Sequence, residues 1–177
     1  MRHFLKFITT TLLTISFCNF LFAQVDSSII IETKNYSKYL DSLNKLDHPQ
    51  NFGLATSIAD GIIKRDDVIV GGFGIYTLSK GDTALRIEYH DNLDINIYKT
   101  YYYKSNKLIF ATLELQTEET NAKTIYYKEE FYNDRNIIWT NTQKEKSADN
   151  YFDKTNFVLF EDGIKYLDDF KKDNHRR

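Results

Sequence analysis

The chain has 177 residues, with 23 basic and 25 acidic side chains spread evenly and a net charge of −2. That balance leaves no basic field to grip nucleic acid by its phosphates. A single cysteine and a single proline exclude a disulfide scaffold and a proline-rich linker, while Tyr and Phe at 13 each favour strands, whose half-buried pleats suit aromatic side chains.

Arg2 and Lys6 precede a short apolar run, Phe7 to Phe22, that closes on Leu21-Phe22-Ala23-Gln24. This is the pattern of a secretory signal peptide cut after Ala23. A membrane anchor needs about 20 apolar residues in succession, and Thr9, Thr10, Thr11, Thr14, Ser16 and Asn19 dilute this run. Lipidation at Cys18 is disfavoured because Phe17 stands where a small residue is required. The expected organisation is a signal over 1–23, one domain over 24–170 and a charged tail over 171–177. Such a chain is exported to the periplasm or beyond, with no membrane span after cleavage. Removing Arg2 and Lys6 leaves 21 basic against 25 acidic residues, a net −4, and no cysteine. About 150 residues remain, enough for one sizeable core without disulfides.

Asp26, Ser27 and Ser28 offer N-cap oxygens to a first helix. Tyr36, Tyr39, Leu40, Leu43 and Leu46 then fall on one stripe, and Asp47-His48-Pro49 ends it. Phe52 to Lys64 supports two readings. Leu54, Ile58 and Ile62 at four-residue spacing suggest a second helix, against which Gly53 and Gly61 count; the alternative is a hairpin turning at Arg65-Asp66.

From Gly71 the pattern changes to period two. Strands are expected over 73–78, 83–90, 93–103, 108–115, 124–132 and 136–140, with turns at Ser79–Asp82 and Asp91-Asn92. In the second of them Leu85, Ile87 and Tyr89 should point inward and Arg86 and Glu88 outward. Gln143 to Thr155 reads as a loop, Phe157 to Phe160 as a possible edge strand, and Glu161-Asp162 as the cap of a last helix carrying Ile164, Leu167 and Phe170. Lys171 to Arg177 reads as a frayed tail. The fold class expected is α+β: an antiparallel β-meander of about six strands with an N-terminal amphipathic helix and a short C-terminal helix.

One segment recurs. Thr100 to Ala111 aligns without gaps on Glu129 to Thr140, each copy having an aromatic pair, a polar quartet, two aliphatics and an aromatic. This predicts one hairpin used twice, with Phe110 and Trp139 on the same face of the sheet. The Phe-Ala-Gln signal ending, the Gly-Gly-Phe strand entry and the Tyr-Tyr-x-x-x-x-Lys-Leu hairpin resemble small exported proteins of Bacteroidota. The hairpins are also similar to variant MORN-type units, with Ser105-Asn106 and Arg135-Asn136 in place of an Asn-Gly turn. Neither resemblance implies an activity or a functional residue.

Candidate chemistry is sparse. Glu88, His90 and Asp94 are the one cluster that could be drawn as a hydrolase-like or metal site, and solvated sheet edges carry such trios by chance. Gly71-Gly72-Phe73-Gly74 precedes a strand and lacks the Gly-Lys-Ser/Thr of a phosphate loop, so its glycines point instead to a bulge or close backbone approach. No catalytic residue, metal ligand or cofactor is expected. The strongest functional feature is the tyrosines: Tyr98 and Tyr102 share one strand face, and Tyr126 and Tyr132 flank Lys128 and Glu130 on another. Open to solvent, they would form an aromatic platform for a glycan, a small ligand or an envelope protein; beneath the terminal helices, they would be core. The sequence thus suggests an exported, non-enzymatic binding domain with those four tyrosines as its site.

Overall fold

The computed structural model describes residues 27–43, 53–93, 95–117, 121–149 and 158–175. The expected signal over 1–23, Leu46, the Asp47-His48-Pro49 stop, Asp94 and Phe157 lie outside them. The chain divides into two compact units, Met1–Tyr36 and Ser37–Arg177. Residues 27–43 are helical (α1), and those from Ser37 onward belong to the second unit.

The second unit is an α+β domain built on seven antiparallel strands in simple meander order: β1 (Ala55–Arg65), β2 (Val68–Lys80), β3 (Thr83–Asn92), β4 (Asn96–Lys104), β5 (Lys107–Gln116), β6 (Thr124–Asn133) and β7 (Asn136–Lys144). A 3₁₀ turn at Lys146–Ala148 and helix α2 (Leu159–His175) complete it.

Four of the hairpins share one device. Their two-residue loops hold left-handed backbone: Asp66 and Asp67 (φ 50° and 63°), Gly81 (54°), Ser105 and Asn106 (52° and 59°) and Asp134 (55°). Gly, Asn and Asp tolerate this region, and such loops match the right-handed twist of the strands they join. Soon after each loop the register slips, leaving Val70, Leu85, Ile109 and Ile138 unopposed. These are β-bulges, which sharpen the local twist. The repeated hairpin is therefore real: both polar quartets turn, and Tyr102, Phe110, Phe131 and Trp139 stand opposite one another in register. Their rings form a ladder across four strands, with centroids 5.2, 4.4 and 5.3 Å apart. Phe110 and Trp139 share a face, as the repeat requires.

α2 lies on the other face of the sheet. Leu159, Gly163 and Leu167, spaced by four, are buried along its inner side, and Glu161 and Asp162 favour the positive end of its dipole. Gly163 is needed for the close approach: a Cβ there would come within 2.8 Å of both Leu108 and Tyr101. The Tyr103 hydroxyl donates to the Gly163 carbonyl at 2.8 Å, and Lys99 donates to Asp162 at 2.5 Å. Ile87, Ile97, Tyr101, Leu113, Leu115 and Tyr132 form the core beneath α2.

Several expectations change. The sheet has seven strands because 55–65 is a strand, not a helix; its apolar residues at four-residue spacing also satisfy period two, and the chain turns at Asp66-Asp67. Asp91 and Asn92 end β3, and the chain reverses only beyond them. β7 continues to Lys144, and α2 begins at Leu159, so Phe160 is helical. α2 also runs through His175, well into the stretch read as a frayed tail.

Arg86 is the sharpest correction. It is 5% exposed, not solvated, because residues 37–43 of α1, in the same unit as the sheet, cover it. Its guanidinium is compensated by Asp41 of α1 at 2.6 Å and Glu88 at 2.9 Å, which is what allows a charge to be buried. Ile87 is buried as expected, whereas Leu85, at the bulge, is only half-buried.

Candidate functional site: the open half of one sheet face

The four tyrosines read from the sequence do not form one surface. Tyr98 and Tyr102 point to the α1 side of the sheet, Tyr126 and Tyr132 to the α2 side, as the register through β4, β5 and β6 requires. Tyr102, Tyr126 and Tyr132 are buried; only Tyr98 is open, at 40%.

Tyr102 donates to Asp41 at 3.0 Å, and its ionisation is pushed up by burial and then by that carboxylate. The Tyr132 hydroxyl donates to buried Glu130, which also pairs with Lys128. Its ionisation too is raised, by burial first and Glu130 second. These phenols hold the interior together. The platform reading fails for them because both faces of the sheet's middle are covered.

The α1 side of the sheet is covered only in part. Where Arg86, Tyr102, Phe110 and Phe131 lie, the side chains are buried. Toward β1 and β2 the same face carries Ile58, Ile62, Ile69, Tyr76 and Tyr98, all exposed. At the centre of this open half is His90. Its ring stacks on Tyr76, with centroids 5.3 Å apart and planes 19° from parallel, and meets Tyr98 on the other side at 6.2 Å.

Local sequence explains the arrangement. Gly72 and Gly74 alternate along β2, so both present a bare backbone to this face. A Cβ on Gly74 would fall 2.6 Å from the His90 ring and 3.1 Å from Tyr76; the missing side chain is what lets the rings lie there. The Gly72 amide donates to Asn92 Oδ1 at 2.8 Å, tying β2 to the end of β3. A shallow depression of about 340 Å³ opens beside these glycines, and its lining includes Asp60, His90, Asp91, Asn92, Asn96 and Tyr98.

Chemically the depression offers two carboxylates, two carboxamides, an imidazole and a phenol beside aromatic ring surface, with the Asp91 carboxylate already accepting from the Tyr89 hydroxyl at 2.8 Å. Stacking needs no bond-making, and amides and carboxylates match hydroxyls and peptide groups. For hydrolysis the picture is poorer. Glu88 and His90 do share this face, but Glu88 is engaged by Arg86 and His90 is held between two tyrosines. Among the described residues no group of three or more His, Asp or Glu side chains is placed to hold a metal ion.

Asp60, Tyr76 and Asn96 are not singled out by the sequence, and Asn92 is read there only as a turn residue. The signal that could have found the place was the pair Gly72 and Gly74, two residues apart in a strand and hence a gap on one face.

Comparison of the chain with protein-family models, with curated proteins and with solved structures found no match.

Proposed function

We propose that this chain is an exported, non-enzymatic binding domain of the cell envelope, and that it binds through the open half of the α1-side sheet face. The observation that carries this reading is the aromatic row Tyr76–His90–Tyr98, its first pair stacked and its second tilted, part-exposed over the Gly72–Gly74 floor on a sheet braced by α2 on its other side. Exposed aromatic rings on a rigid backbone are what recognition surfaces use, because such rings bury much area while losing little freedom. The basic start and apolar run before Gln24 support export.

A second reading, binding of a glycan, is favoured by the depression itself. Asp60, Asn92 and Asn96 stand beside the aromatic row, and carboxylate and amide groups can bridge neighbouring hydroxyls while a ring takes the sugar's C–H face.

The test is to present the immobilised chain to a glycan array and, separately, to a detergent extract of the envelope. The wild type should bind in one of the two. Tyr98→Ala combined with His90→Ala should weaken that binding by more than about tenfold, the loss expected when anchoring rings are truncated. Binding in neither, or binding unchanged in the variant, overturns the reading.

A further inference from the structure

The sheet ends in two edges, and they differ. β7, at one end, reads Asn136-Ile137-Ile138-Trp139-Thr140-Asn141-Thr142-Gln143-Lys144 and is polar along its second half. β1, at the other end, runs eleven residues from Ala55 to Arg65 with no proline, and its residues are exposed except Gly61 and Ile63, which are half-buried. Ile58 and Ile62 are 66% and 57% exposed. Up to Ile63, Asp60 is its one charge. Among the described residues no strand pairs with the outer side of β1, and a long edge strand of this kind is a template for another strand, which soluble proteins usually blunt with charge, proline or a bulge. The register slip of the first hairpin leaves β1 itself unbulged, since the unopposed residue, Val70, is on β2.

We infer that β1 pairs antiparallel with β1 of a second copy, joining the two sheets across a two-fold axis. Charge complementarity selects both the partner and the register. In a symmetric antiparallel pair, directly opposed residues must share a face, so only alternate registers are allowed. Centring the pair on Asp60 would oppose two carboxylates directly, which is destabilising, and centring on Ala59 or Gly61 would oppose Asp60 to an isoleucine. Centring on Ile62 opposes Ile62 to its own copy and Asp60 to Lys64 of the second chain, twice by symmetry. Asp60, Ile62 and Lys64 are all exposed and lie on one face of β1. Residues Ala59 to Arg65 then form the junction, about the usual length of a strand pairing.

Sedimentation equilibrium of the purified chain tests this. The wild type should be a dimer. Asp60→Lys and Lys64→Asp should each raise the dissociation constant about tenfold or more, because two opposite-charge pairs become like-charge pairs. Mixed in equal amounts, these two variants should associate again. At positions 60 and 64 the first then carries only lysine and the second only aspartate, so both cross-strand pairs are opposite in charge. The double variant should also dimerise. A wild type that stays monomeric up to its solubility limit overturns the inference. Single variants that remain dimers overturn it too, as do variants that fail to recover on mixing while circular dichroism shows them folded.

Discussion

Gly163→Ala sets two known effects against each other, and the structure decides the sign. In a helix interior, alanine is better than glycine by about 1 kcal/mol, so propensity alone makes the variant more stable. Here the new Cβ would sit 2.8 Å from Leu108 and from Tyr101, closer than real carbon contacts, and those residues are only 2% and 0% exposed. Neither can step aside into solvent, so α2 must move outward or the core must strain, at about 1–3 kcal/mol. Moving α2 also stretches the 2.8 Å bond from the Tyr103 hydroxyl to the Gly163 carbonyl, which contributes about 1 kcal/mol. The net effect is a loss of about 1–3 kcal/mol. Urea unfolding should show a lower midpoint at unchanged slope. A variant more stable than the wild type would refute the packing of α2 described above.

Two further outcomes rest on the tyrosines. The Tyr101 hydroxyl is buried and finds no hydrogen-bond partner among the described residues, so Tyr101→Phe should leave stability unchanged or raise it, whereas Tyr103→Phe should lose about 1 kcal/mol; urea midpoints of the pair check the contrast. Burial raises the ionisation of Tyr89, Tyr101, Tyr102, Tyr103, Tyr127, Tyr132 and Tyr166 above the ordinary phenol value. A group whose folded pKa is raised contributes stability that is fully present below its unfolded pKa, here about 10, and lost as pH climbs toward the folded value. Phenolate absorbance from these seven should therefore rise with alkali only as the chain unfolds. A single smooth titration near the ordinary value with the fold intact would contradict it.

The strands were legible wherever one face is apolar along its length, as in β3 and β5, and the hairpin repeat was legible because its turn and aromatics recur together. The same turn-and-bulge device joins β1 to β2 and β2 to β3, but without the aromatic pair, so nothing in composition links Asp66-Asp67 or Gly81 to Ser105-Asn106. β1 was ambiguous because Ile58 and Ile62 fit both periods, and the tertiary pairing with β2 decides it.

Arg86 and Tyr102 misled for a shared reason. Alternation tells which residues share a face, not whether that face is wet, and here both faces carry helices over part of their extent. His90 was visible, but its setting was not, since Tyr76 reaches it only through the pairing of β2 with β3.

Whether the Tyr76–His90–Tyr98 face is open for binding is most directly measured by mapping tyrosine nitration in the folded chain, free and then saturated with the ligand that the array or extract supplies. Tyr76 and Tyr98 should be modified in the free protein and protected in the bound one, while Tyr102, Tyr126 and Tyr132 stay unreactive in both. Tyr98 unreactive in the free chain, or equally reactive with ligand bound, would contradict the account.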